Sequence, residues 1–96
     1  MTYTTYRMIR VEPISDEQWL VTVTGATTTQ HRVNVHPADI RRLGGGTFGA
    51  AELLEASFRF LLEREPNTAI LGTFDLPLIA RYFPEYEREI ARYLAP

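Results

Sequence analysis

Ninety-six residues with 45% hydrophobic and 23% charged side chains fit one domain, whose chain buries roughly 60–65% of its unfolded surface, and argue against disorder. The chain has no cysteine and no lysine, so disulfides, thiolate metal sites, cysteine nucleophiles, Schiff-base chemistry and a P-loop lysine are all excluded. A net charge of −2 is not the footprint of a general nucleic-acid binder, although residues 1–48 carry five arginines against four acids and residues 49–96 carry five against eight.

Residues 5–12, TYRMIRVE, are rich in β-branched and aromatic side chains and read as a strand ended by Pro13. Ser15 and Asp16 mark a loop. Trp19 to Thr24 alternate, with Trp19, Val21 and Val23 on one face and Leu20, Thr22 and Thr24 on the other. After a turn at 25–28, Thr29 to Val35 return as a third strand with His31, Val33 and Val35 on one face. Short connections favour an antiparallel meander, whose apolar face requires a cover of helices. His36-Pro37-Ala38-Asp39 starts a short helix, with Pro37 at a tolerant first position and Asp39 near the positive end of the dipole. Gly44-Gly45-Gly46 stops it.

Thr47 is placed as N-cap of the main helix, over about 48–65, with an apolar stripe of Ala50, Leu53, Leu54, Ser57, Phe58, Leu61 and Leu62. Phe60 lies off this stripe, a sign of contact with another element or chain. Pro66 ends the helix. Residues 67–74 read as a helical turn stopped by Gly72 in preference to an extended segment. Asp75 is expected to cap a short helix running to about Phe83, Pro84 to break it, and 85–94 to form a last helix with Tyr86, Ile90, Tyr93 and Leu94 apolar. The fold expected is a single α+β domain over 1–96, a three-stranded antiparallel meander packed on one long amphipathic helix with short C-terminal helices.

The segment Ser57-Phe58-Arg59-Phe60-Leu61-Leu62-Glu63-Arg64-Glu65-Pro66, followed by Ile70-Leu71, Phe74-Asp75-Leu76-Pro77 and Arg81-Tyr82-Phe83-Pro84-Glu85-Tyr86-Glu87, resembles a recurring pattern of small uncharacterised bacterial proteins. Val33 to Gly46 also look like that family. The resemblance implies a small, stand-alone cytoplasmic protein and brings no activity, cofactor or ligand with it. Phe48-Gly49 departs from the pattern, where a stronger helix starter is expected.

Candidate chemistry is sparse. His36 with Asp39 is the one pair that suggests a metal or acid–base site, and His31 falls on the opposite strand face. The glycine run before a helix suggests an anion site, but its spacing matches no phosphate-binding fingerprint. Ser57 reads as a small packing residue. Glu63, Glu65, Glu85, Glu87 and Glu89 interleave with arginines as a solvated, salt-bridged surface. Arg7, Arg10, Arg32, Arg41 and Arg42 are the candidate nucleic-acid contacts of an antitoxin-like regulator. Phe60, Tyr82, Phe83, Tyr86 and Tyr93 are the candidate interface. The leading expectation is a cytoplasmic, non-catalytic interaction module without cofactor or membrane anchor. It self-associates as a homodimer through Phe60, the C-terminal aromatics or an open sheet edge. A nucleic-acid-binding regulator and a small metal- or phosphate-dependent enzyme are the alternatives.

Overall fold

A computed structural model describes residues 8–94, so the part of the first expected strand at 5–7, Arg7 included, lies outside the described residues. Strands β1 (Met8–Pro13), β2 (Gln18–Thr24) and β3 (Thr29–Asn34) form the antiparallel meander. Helices α1 (Pro37–Gly44) and α2 (Ala50–Leu62) follow. A 3-10 turn (Asn67–Ala69) leads into β4 (Thr73–Asp75), then come α3 (Leu78–Tyr82) and α4 (Tyr86–Leu94). The fold is α+β as expected, but the sheet is mixed and four-stranded in the order β1-β2-β3-β4, with β4 parallel to β3.

One sheet face is buried. Val21, Val23, His31, Val33 and Phe74 point into the core, while Arg10, Glu12, Gln30, Arg32, Thr73 and Asp75 are exposed on the other side. This is the period-two pattern of a sheet covered on one face. The helix boundaries move relative to expectation. Gly49, not Thr47, is the N-cap of α2: it has no side-chain oxygen, and the Glu52 side chain instead accepts from the Gly49 N–H at 2.7 Å, half of a capping box. Asp75 caps nothing, because it sits in β4 and pairs with Asn34, whose Nδ2 donates to it at 2.7 Å. The break before Pro84 is present, with α3 ending at Tyr82 and α4 starting at Tyr86.

Of the helical turn expected within 67–74, the 3-10 turn at Asn67–Ala69 is present, and the segment then leaves it to become β4. His31, buried in β3, lies 2.8 Å from the Leu71 carbonyl through Nδ1 and 2.8 Å from Thr29 Oγ1 through Nε2. A carbonyl only accepts, so Nδ1 carries the proton. Asn67 Nδ2 donates to Thr29 Oγ1 at 2.9 Å, leaving the Thr29 hydroxyl proton for Nε2. The chain Asn67–Thr29–His31–Leu71 draws 67–72 alongside β3. There the Arg32 N–H donates to the Gly72 carbonyl at 2.8 Å and β4 begins.

Helix α2 has two buried faces. Leu54, Phe58 and Leu61 follow a four-then-three spacing along one face, and Phe58 meets His31 and Phe74 on the sheet side. Ser57 and Phe60 lie on another face, turned to α4, and Arg64 follows in the turn just past the helix end. Phe60 is entirely buried and takes the rings of Phe83, Tyr86 and Tyr93 edge-on at 6.0, 5.2 and 5.7 Å. The Arg64 guanidinium covers it, with its carbon 3.6 Å from the ring centre. Arg64 donates to the Phe60 carbonyl, to Glu85 at 3.0 Å and to Glu89 at 3.1 Å.

Phe60→Ala is expected to destabilise the domain by about 3–5 kcal/mol, the cost of an aromatic cavity. Arg64→Met keeps the aliphatic cover but leaves the two carboxylates without their fork, and is expected to cost about 1–2 kcal/mol after allowing for partial exposure. Urea midpoints at unchanged slope measure both.

Candidate interaction groove

Where α2 ends and the chain doubles back, an apolar groove of about 340 Å³ opens between the helix end, the 3-10 turn, β4 and α3. Its walls include Leu61, Ile70, Leu71, Phe74, Tyr82 and Phe83, and Glu65 is its one charged lining residue. Leu71 is 47% exposed and Tyr82 65%; with Ile14 they are the large hydrophobics most open to water among the described residues. The Leu71 side chain stands out because its carbonyl is held by His31, and Tyr82 stands out because α3 buries Ile79 instead. The volume is at the lower end of small-ligand sites, about 300–1,000 Å³. The lining offers no nucleophile, no imidazole and only one carboxylate, which suits apolar contact rather than covalent or acid–base chemistry.

The five candidate interface aromatics divide. Tyr82 is exposed and lines the groove. Phe83 is half-buried, with one edge on Phe60 and another surface in the groove. Tyr93 is half-buried and donates its hydroxyl proton to Glu63, bracing α4 on α2. Phe60 and Tyr86 are wholly buried, so they are core rather than contact surface. The off-stripe position of Phe60 reported a second helix layer of the same chain.

Ser57 is more than a small packing residue. Its hydroxyl donates to the Leu53 carbonyl at 2.7 Å and lies 2.6 Å from the Tyr86 hydroxyl. A serine hydroxyl has one proton, so Tyr86 is the donor in the second bond. Burial pushes the Tyr86 phenol well above its ordinary ionisation range, with the Ser57 bond acting in the opposite direction.

The polar candidates do not converge. The His36 ring turns to Glu17, with Nδ1 2.6 Å from its carboxylate. Asp39 accepts from the His36 backbone N–H at 3.2 Å and from Arg42 at 3.1 Å, so it caps α1 and is already matched. Among the described residues no group of three or more His, Cys, Asp or Glu side chains is placed to hold a metal. The glycine run ends α1, with Gly45 and Gly46 at φ of 65° and 80°, backbone that a Cβ would strain.

The arginines are also dispersed. Arg10 and Arg32 lie on the open sheet face, while Arg41 and Arg42 are on α1 in the helical layer, and Arg42 is bound to Asp39 and Glu87. Glu85, immediately before α4, and Glu89 in its first turn are four residues apart and converge on Arg64. The Glu85 carboxylate is held below its usual range by its own backbone N–H and then by Arg64. That spacing of four was the legible signal for the ion cluster; the spacing of two between neighbouring glutamates was not. His31 had no such signal beyond its place on the apolar strand face.

No protein-family model, no curated protein and no solved structure matches the chain, so function must be read from its own residues.

The Tyr86 phenol predicts an alkaline slope. Tyrosine in the unfolded chain ionises near pH 10, whereas folded Tyr86 keeps its proton to higher pH. Above about pH 10 the folded state therefore binds more protons than the unfolded state, and stability falls as pH rises, by up to about 1.4 kcal/mol per unit. Thermal melts between pH 9 and 11 are expected to show this fall, and a shallower one in Tyr86→Phe. Ser57→Ala at neutral pH is expected to cost about 1–3 kcal/mol by leaving the buried Tyr86 hydroxyl unpaired, and less when combined with Tyr86→Phe.

Proposed function

We propose that this protein is a non-catalytic protein-interaction module of the cytoplasm and that the groove beside Tyr82 and Leu71 is its partner-binding face. The observation that carries the reading is the exposure of these two apolar side chains at the mouth of an otherwise apolar groove. Exposed apolar surface continuous with a pocket is characteristic of contact sites, and a tyrosine at its rim offers a broad ring with a polar tip. No helix of the described residues is long and apolar enough to cross a membrane, which is consistent with a partner met in water.

The competing readings draw less support. A nucleic-acid footprint needs its cations on one surface, and Arg10 and Arg32 lie on a different layer from Arg41 and Arg42. A metal- or phosphate-dependent enzyme needs His36 and Asp39 to act together, and each has another partner.

A photo-crosslinking aromatic residue at position 82, with the same residue at exposed position 92 as control, tests the reading in cells. Discrete polypeptide adducts from position 82 that are missing from position 92, and that disappear with Leu71→Asp, are the expected result. Equal or absent labelling at the two positions overturns it. Leu71→Asp and Tyr82→Asp are expected to leave the unfolding free energy within about 0.5 kcal/mol of the parent, because neither side chain is buried.

A further inference from the structure

The second exposed apolar feature lies at the far edge of the sheet. Strand β1 has β2 as its only neighbour among the described residues. The Ile14 N–H donates to the Gln18 carbonyl at 2.8 Å, continuing the β1–β2 register by one hydrogen-bonded pair. Hydrogen-bonded pairs recur every second residue in an antiparallel ladder, so Met8, Arg10 and Glu12 direct their backbone groups at β2. On the other side of β2, the Val35 N–H donates to the Glu17 carbonyl, which gives the odd residues of β2 to β3 and agrees with this phase. Ile9, Val11 and Pro13 therefore turn their N–H and C=O positions to the open edge. Pro13, which has no N–H, sits where a strand tolerates it.

We propose that this edge pairs with the β1 edge of a second copy, antiparallel about a two-fold axis at Val11. Directly opposed residues must share a sheet face, which restricts the dyad to a residue rather than a gap between residues. A dyad at Arg10 sets Arg10 against Arg10 of the partner subunit, and one at Glu12 sets Glu12 against Glu12 of the partner subunit. Like charges directly opposite destabilise a ladder. A dyad at Val11 sets Arg10 against Glu12 of the partner subunit, and by symmetry does so twice. The opposed residues of β2 are Thr22 and Leu20, so neither charge finds its complement across that ladder.

In this register the Val11 N–H donates to the Val11 carbonyl of the partner subunit and the reverse, and the Ile9 N–H donates to the Pro13 carbonyl of the partner subunit. Pro13 then ends the ladder. The half-buried Val11 meets its counterpart on the core face with half-buried Ile9 opposite Pro13 of the partner subunit, and Ile14, 44% exposed at the end of this edge, comes to lie beside the start of the partner's β1. The contact is isologous, so it closes as a dimer instead of growing into a fibre. It joins the two four-stranded sheets edge to edge into one continuous sheet across the two-fold axis.

The surface is separate from the groove, and the test separates them. Sedimentation of the full chain across a concentration series is expected to give a monomer–dimer equilibrium. Arg10→Glu and Glu12→Arg, each checked for native circular dichroism, are expected to weaken dimerisation at least tenfold. An equimolar mixture of the two variants is expected to restore it. The first variant carries acids at both positions and the second carries arginines at both, so each cross-strand pair of the mixed dimer joins opposite charges. Tyr82→Asp is expected to leave the dimer intact. A wild-type chain monomeric at every concentration overturns the proposal, as does a mixture that fails to recover. Single variants that dimerise as tightly as the parent, or a dimer lost in Tyr82→Asp, also overturn it.

Discussion

Helix α2 is apolar on two sides, and such a helix is stable only between two layers. Its Leu54–Phe58–Leu61 side closes the sheet, and its Ser57–Phe60 side, continued past the helix end by Arg64, receives α4. The second side sets much of the remaining architecture. Phe60 needs a complete ring of neighbours, and Phe83, Tyr86 and Tyr93 supply it from the C-terminal segment. Arg64 seals the ring, using its planar fork to hold Glu85 and Glu89 at once, which a lysine ammonium does not reproduce.

That arrangement also determines where the surface is left open. To bring α4 back onto α2, the chain must cross from the end of α2 to the edge of the sheet and return. The crossing is made by the 3-10 turn, β4 and α3, elements of three to five residues, of which β4 and α3 bury one side chain each and the turn none. Segments this short cannot cover both sides of themselves. Leu71 and Tyr82 are the remainder, and the groove lies between them. The resulting surface has a structural origin, and its position at the least regular part of the fold is where partner contacts are commonly built on a rigid scaffold.

Charge in this protein serves largely for internal bracing. Asp39, Glu87 and Arg42 join α1 to α4, and Arg64 with Glu85 and Glu89 joins α2 to α4. Individually such partly exposed pairs contribute little. The Arg10 and Glu12 side chains on β1 are different in that their cross-strand neighbours are neutral. The sheet edge thus carries an alternating charge pattern that the fold itself does not match across β2.

Much of this was legible in the sequence. The alternation of Trp19–Thr24 and of His31–Val35 determined two strands and their buried face, because a pleated backbone sends successive side chains to opposite sides. Pro37 and the glycine run bounded α1, and Pro84 marked the break between α3 and α4, through local backbone geometry alone, whereas α2 ends at Leu62, ahead of the expected stop at Pro66. Phe60 was visible as an anomaly, but whether it met another chain or another helix depended on Phe83, Tyr86 and Tyr93, far along the chain. β4 was not legible, since its pairing comes from His31 and Thr29 reaching across some 40 residues to Leu71 and Asn67. The same holds for the groove and for the dispersal of the arginines over two layers. Periodicity and proline act within a few residues and are written in the chain; which surplus side chains find cover is decided only when distant segments pack.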